Sequence, residues 1–350
     1  MYQPIFKYTD LLVNNLLKVE NLRTTISMTE ISYNTKLTLQ MKIKALNLFF
    51  IASFKNYKLD NIKECQKIVS GIQPNNLPTD VFTTLVNFRN YMDFAYSEAS
   101  EGYMEYDINS IFHIHKLVTY SWRETPTLKF RNRLPNDIKT GYNWTDFIDN
   151  DITTEEKVTQ SLNSLFEWYN DISNNLPILV KIGLFVFRLI EIQPFITNNF
   201  ISIVAIIDFI LYKYGYGIKN FFSTSRMLYS SQEELKKSIY YSKVNHSIEF
   251  WLEEFLDAIA KEYMNIKREM TEYLIEEEKN KKKPFLNLNK RQLKILQYLQ
   301  NVPMIKRAEY CHIMEVSPMT AFRDLSDLVR KKLLKTEGVG KATRYKLYNM

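Results

Sequence analysis

Apolar residues recur at helical spacing through most of the chain. Ile248, Trp251, Leu252, Phe255, Leu256, Ile259, Tyr263 and Ile266 share one face of a long helix starting near Ser247. The same periodicity predicts helices near residues 42–52, 60–69, 110–120, 154–174, 178–190 and 199–212. Between residues 129 and 144 the pattern changes. The stretch KFRNRLPNDIKTGYNW mixes β-favouring residues with Pro135, Asn136, Asp137 and Gly141, which reads as a short hairpin or irregular flap.

The last seventy residues carry a different order of elements. A first amphipathic helix over residues 290–300 turns Leu293, Leu296 and Leu299 inward, and a second over 306–314 turns in Ala308, Tyr310 and Ile313. A turn at Glu315 and Val316 precedes Ser317, an N-cap residue, and Pro318, suited to a first helical position. A third helix should run from there to residue 334, with Phe322, Leu325, Leu328 and Val329 inward. KTEGVGKATRYKLY then reads as a β wing turning at Gly338 and Gly340. Helix, turn, helix and wing make a winged helix-turn-helix, whose third helix offers its N-terminal side chains to the major groove. Met319, Thr320 and Arg323 would face a duplex, with Lys335, Lys341 and Arg344 neutralising phosphates.

Charge sharpens this picture. The 350 residues carry a net +7, but residues 281–350 hold sixteen Lys/Arg against five Asp/Glu, while the preceding part is net negative. Basicity confined to one end points to a polyanion, and double-stranded DNA is the expected partner. The run EEEKNKKKPFLNLN, residues 276–289, marks the boundary between two bodies. Eight glycines and ten prolines exclude collagen-like and low-complexity chains. Cys65 and Cys311 stand alone, without the spacing of a disulfide framework or a zinc site, and are expected to be buried thiols in a reducing, cytoplasmic setting. No secretory leader is visible, and charges at Lys181, Arg188, Glu191 and Asp208 break the most apolar stretch, so no membrane partner is expected. His113 and His115 lie two apart, on different helix faces, and make a poor metal pair. His246 and His312 read as lone surface or core residues.

The segment EIQPFITNNFISIVAIIDFILYKYGYG, residues 191–217, sets Pro-Phe and two asparagines before an apolar helix that Asn198 or Asn199 would cap. Gln193-Pro-Phe-Ile-Thr-Asn-Asn-Phe-Ile resembles a degenerate form of the Fic signature HPFxxGNGRxxR. The likeness extends to residues 111–118, to Leu128-Lys-Phe-Arg131 before the flap, to residues 165–170 with Leu176-Pro-Ile, and to SFKNYKLD at residues 53–60, which resembles the family's inhibitory-helix motif. It implies a mostly α protein: an N-terminal helical region over 1–100, a Fido-fold helical bundle with a small β-hairpin flap over 101–280, a linker over 281–289 and the winged helix over 290–350.

The resemblance also implies transfer of AMP from ATP to a protein hydroxyl, with a histidine base, an acidic residue holding Mg²⁺, a glycine-rich anion hole and phosphate-binding arginines. In this chain those positions hold Gln193 for the base, Thr197 for the acid, Asn198 and Phe200 for the glycines, and Ile201 and Val204 for the arginines, with Asn199 retained. An amide has no pKa near neutrality, so Gln193 cannot take a hydroxyl proton as imidazole does. A lone neutral threonine is a poor ligand for a hard cation. In the inhibitory-like segment Ser53 is kept, and Lys55, read as a solvated helix lysine, replaces the glutamate. The expectation is a pseudoenzyme needing no cofactor, a regulator that binds DNA as a monomer or homodimer. The alternatives are an active adenylyltransferase using ATP and Mg²⁺, and a winged helix that docks a protein.

Overall fold

The computed structural model describes residues 2–74, 77–101, 106–119, 129–135, 144–281, 288–338, 340 and 343–348. Contacts divide the chain into two units: Met1–Ile31 with Lys36–Met270, and Ser32–Thr35 with Thr271–Met350.

The first unit is helical among the described residues. Its elements are α1 (Asp10–Met28), α2 (Tyr33–Phe54) from Lys36 on, α3 (Lys63–Val69), α4 (Thr79–Glu101), α5 (Ile108–Thr119), α6 (Glu155–Asn170), α7 (Ile178–Ile192), α8 (Asn199–Lys213), α9 (Thr224–Ser230), α10 (Gln232–Val244) and α11 (Glu249–Lys281) as far as Met270. α8 is apolar on nearly every side because it packs against α4, α5, α7 and α9 together. Gly183 lets α7 approach α11: a Cβ there would lie 2.8 Å from Leu252 Cδ2, and Trp251 Nε1 donates to the Gly183 carbonyl at 2.8 Å. By length and composition α2 would reach across a membrane, yet its Leu39, Ile43, Leu48 and Ile51 are buried in the protein.

The helices predicted from periodicity are present, with shifted ends. α2 starts at Tyr33 rather than near 42, and α3 at Lys63 rather than 60. α6 stops at Asn170 because Asp171 takes an extended conformation. Of the expected hairpin, residues 136–143 lie outside the described residues, and 129–135 and Trp144 form no strand.

Arg226 and Asp208 each anchor a buried polar cluster in this unit. Arg226 forks onto Glu262 (Nη2 to Oε1, 2.7 Å) and Glu269 (Nη1 to Oε1, 2.5 Å), with the Ser223 N–H donating to Glu262 at 3.2 Å. Asp208 is enclosed elsewhere in the core; it accepts from Thr224 Oγ1 at 2.7 Å, and burial pushes its carboxyl up to about 7 against the pull of neighbouring hydroxyls. A folded-state pKa above the unfolded value means that the neutral acid's stability is complete at low pH and is lost as pH rises toward about 7. Asp208→Asn is therefore expected to remove a slope of up to ~1.4 kcal/mol per pH unit over that window, read from urea unfolding between pH 4 and 8. An unchanged slope would remove Asp208 as its source.

In the second unit, α12 (Lys290–Asn301) starts at an Asn289–Gln292 capping box. Then follow β1 (Ile305–Lys306), α13 (Arg307–Met314), α14 (Pro318–Arg330), β2 (Leu334–Glu337) and β3 (Arg344–Leu347). The strands form an antiparallel sheet in the order β1-β3-β2. The core is built from Ile295, Leu299, Tyr310, Leu325, Leu328 and Leu334 with their neighbours.

Four expectations for this unit are corrected. Ile295 is the deep residue of α12; Leu296 packs against the core at its edge as expected, whereas Leu293 is half-buried outside it. Ala308 and Phe322 face solvent, since the inward stripe runs through Tyr310 and Met314 on α13 and through Ala321, Leu325 and Leu328 on α14. The third helix ends at Arg330, because Lys332 adopts a left-handed φ of 54° and Leu334 already belongs to β2. Cys65 is buried as expected, whereas Cys311 is half-buried.

Candidate functional site

α7 ends where Gln193 turns left-handed, at φ 40°, ahead of Pro194; proline disfavours an α conformation in the residue before it. Asn198, also left-handed at φ 61°, starts α8. The position where the signature has glycine thus keeps a glycine-like backbone, because asparagine tolerates this region better than most side chains. Asn198 caps by position only; its side chain makes no capping bond.

The loop between the two helices is tied from every side. Asn199 clasps both backbone groups of Phe195, accepting its N–H through Oδ1 (2.9 Å) and donating Nδ2 to its carbonyl (2.7 Å). Arg131, fully buried, donates Nε to the Gln193 carbonyl (2.7 Å), Nη2 to that of Ile192 (2.9 Å) and Nη1 to that of Arg133 (3.2 Å), while its own N–H bonds the Pro194 carbonyl (2.9 Å). The Gln193 side chain is itself 2% exposed and donates Nε2 to the Trp144 carbonyl at 2.6 Å. The Phe195 ring lies parallel on the His115 imidazole, 3.6 Å away. His115 Nδ1 is 2.7 Å from Ser202 Oγ, and Ser202 gives its proton to the Asn198 carbonyl, so Nδ1–H is the donor. Burial pushes His115 down to about 3, which keeps it neutral.

The outer edge of the loop is covered by aromatic rings. Phe200 meets Phe54 edge-on at 4.7 Å and Trp144 at 4.8 Å. Lys55, read from sequence as a solvated helix lysine, donates Nζ to Asn198 Oδ1 at 2.9 Å, so the end of α2 touches the very loop its motif would regulate. Ser53 bonds within its own helix, to the Phe49 carbonyl at 3.3 Å. Ile201 and Val204 are buried, and Thr197 is exposed.

The side chains at the signature's positions are engaged by the protein itself. No carboxylate stands on the loop; Asp208 is held by Thr224, and Glu191 pairs with Arg188 at 2.9 Å. No group of three His, Cys, Asp or Glu side chains converges anywhere among the described residues. Both ends of the Asn199 amide are spent on Phe195, and the Gln193 amide N–H on Trp144. The arrangement does structural work: it locks a helix-to-helix turn.

Sequence reasoning located the loop but missed what holds it. Arg131 and His115 carry no local signal of their role, because their partners lie 62 and 87 residues away in the chain. His113 is exposed, against the Phe94 ring, on a different face from His115 as their spacing predicted.

In the second unit Met319, Arg323 and Arg344 are exposed, while Lys335 is half-buried. Thr320 is half-buried too, with its hydroxyl 3.0 Å from Ser317 Oγ. Lys341 lies outside the described residues. The register fixes which strand side chains share a face. Lys335 stands opposite Lys346, Glu337 opposite Arg344, and Lys306 opposite Arg344, on the side away from buried Ile305, Leu334 and Tyr345. That outer face bears four cations and one carboxylate.

No family model matches the chain, and no curated protein matches it. Solved structures do. A Fic family protein from Desulfovibrio desulfuricans is 12% identical with a TM-score of 0.60, over 99% of this chain and 98% of that one. A Fic domain containing signaling protein from Bacteroides thetaiotaomicron is 15% identical with a TM-score of 0.54, over 75% of this chain and 98% of its own. Fic-1 from C. elegans is 14% identical with a TM-score of 0.55, over 74% and 71%. At such identities the likeness shows the fold alone.

Proposed function

We propose that this chain of Fic fold has lost AMP transfer, and that its C-terminal unit is a winged helix that binds duplex DNA. The observation that carries the DNA reading is the outer face of the three-stranded sheet. Strand pairing gathers Lys306, Lys335, Arg344 and Lys346 there against one carboxylate, a net positive surface that attracts phosphates. The sole acid on that face, Glu337, is already paired with Lys346.

Loss of transfer rests on the closed loop. A general base must reach the attacking hydroxyl, yet the amide at that position is buried and bonded to a carbonyl, and the one imidazole at the loop is neutral, stacked and hydrogen-bonded. The remaining fold then serves as a scaffold or sensor for the DNA-binding unit.

The test uses the full chain. Titrating a labelled random duplex at rising salt is expected to give binding that falls steeply with salt, with the slope reduced by about 2 in the Lys335→Ala, Arg344→Ala double variant. Calorimetry with ATP and Mg²⁺ on the same preparation should give no heat of binding, and labelled adenylate should not appear on lysate proteins. Duplex that is never retained at low salt would favour the protein-docking alternative, and labelling that vanishes when Gln193 is altered would restore the enzyme reading.

A further inference from the structure

The first unit holds a cleft of about 610 Å³ between α9, the start of α10 and α11, a volume within the range of small-molecule sites. None of its lining residues belongs to the loop at Gln193. α11 supplies one wall: Ala258, Lys261, Met264, Asn265 and Arg268 follow one another at steps of three, three, one and three, along one face of the helix. Met227 of α9 and Ser231, at the turn into α10, line it from the other element. Met227, Ala258 and Met264 give the cleft an apolar stretch, and the unbranched methionines can follow the shape of a guest.

The polar groups set what that guest must carry. Ser231 is 3% exposed, yet its hydroxyl makes no capping bond in α10 and has no hydrogen-bond partner among the described residues. A buried hydroxyl left open on a cleft marks a place for a guest's acceptor. Three charged side chains line the same space, and two are neutralised. Glu262 is spent on Arg226 (2.8 and 2.7 Å) and the Ser223 N–H. Lys261 pairs with Asp257 at 2.8 Å and stands in the field of Glu254 and Glu234. Arg268 donates Nη2 to the Asn265 amide oxygen at 3.1 Å and makes no ion pair among the described residues.

We propose that this cleft binds a small organic monocarboxylate, with Arg268 answering its charge, the Ser231 hydroxyl donating to one of its oxygens, and Met227, Ala258 and Met264 receiving its apolar body. A planar guanidinium fork matches the two oxygens of a carboxylate. The acids around Lys261 oppose a second negative charge, which favours a carboxylate over a phosphate dianion. The inference concerns the first unit alone and stands apart from the DNA reading.

The experiment titrates the full chain by calorimetry and ligand-observed NMR with the straight-chain acids from butanoate to octanoate, against hexanol, hexylamine and hexyl phosphate. Hexanoate is expected to bind, and the alcohol and the amine to bind about tenfold more weakly, the worth of one charge-assisted hydrogen bond. Each added methylene should tighten the acid about fourfold while the cleft still has room for it. Arg268→Ala, an exposed substitution checked for folding by circular dichroism, should erase the preference for hexanoate over hexanol, and Arg268→Lys should keep part of it. Ser231→Ala should weaken hexanoate about fivefold. The inference falls if no acid in the series binds saturably, if Arg268→Ala and Ser231→Ala both bind hexanoate as the wild type does, or if hexyl phosphate binds more tightly than hexanoate.

Discussion

Arg131→Ala should cost the first unit about 3–5 kcal/mol, among the largest losses available to a single substitution in this chain. The guanidinium is fully buried and makes no ion pair among the described residues, though the Asp149 carboxylate acts on it from a distance; the carbonyls of Ile192, Gln193 and Arg133 take the place of water. Deleting it strands those acceptors, at ~1–3 kcal/mol for each buried group left unpaired, and opens a cavity under the loop. Arg131→Lys should recover only part, since an ammonium cannot fork to carbonyls arranged for a planar donor. All four tryptophans precede residue 270, so their emission during urea unfolding follows this unit. A loss below ~1 kcal/mol would mean that the loop holds itself without the clasp.

Arg226→Ala should be comparably damaging, for the opposite reason. Here the arginine neutralises two carboxylates, Glu262 and Glu269, both buried against α9. Removing one member of a buried ion cluster typically costs ~3–5 kcal/mol because the remaining charges have no solvent. The loss should depend on pH. Burial already raises Glu262 to about 7 against the pull of Arg226, and losing the arginine removes that pull, so the variant gains stability on acidification and loses it as pH rises through the raised Glu262 value. The deficit should therefore be smaller at pH 5 than at pH 8, and Glu262→Gln with Glu269→Gln in the same variant should flatten the difference. A deficit independent of pH would mean lost packing rather than stranded charge.

How far the chain could be read in advance varied with the physics of each segment. α7 and α8 were legible because they are apolar over more than one face. α1 was not: Leu11, Val13 and Leu17 are exposed while Leu12, Val19 and Ile26 are buried, so leucine and valine on both faces blur the period. α4 was missed because threonines, Asn87, Arg89 and Asn90 interrupt its apolar stripe. In the second unit the order of helices, turn and wing strands followed from caps and turn residues, whereas the two-residue β1 and the facing of Phe322 did not, since two residues carry no period and amphipathic spacing alone allows Phe322 on either edge of the stripe. At the loop, the altered residues were visible one by one. Their closure into a network was not, because Trp144, His115, Arg131 and Phe54 arrive from distant parts of the chain.

The clasp around Gln193 has a bearing on regulation. Guanidinium keeps its proton across every pH a cell reaches, and backbone carbonyls do not titrate there at all. A loop fastened by those two partners has no acid-operated latch, so mild acidification would leave it shut. Any signal that loosens this turn has to arrive mechanically, through the segments that bring Arg131 and Trp144 to it.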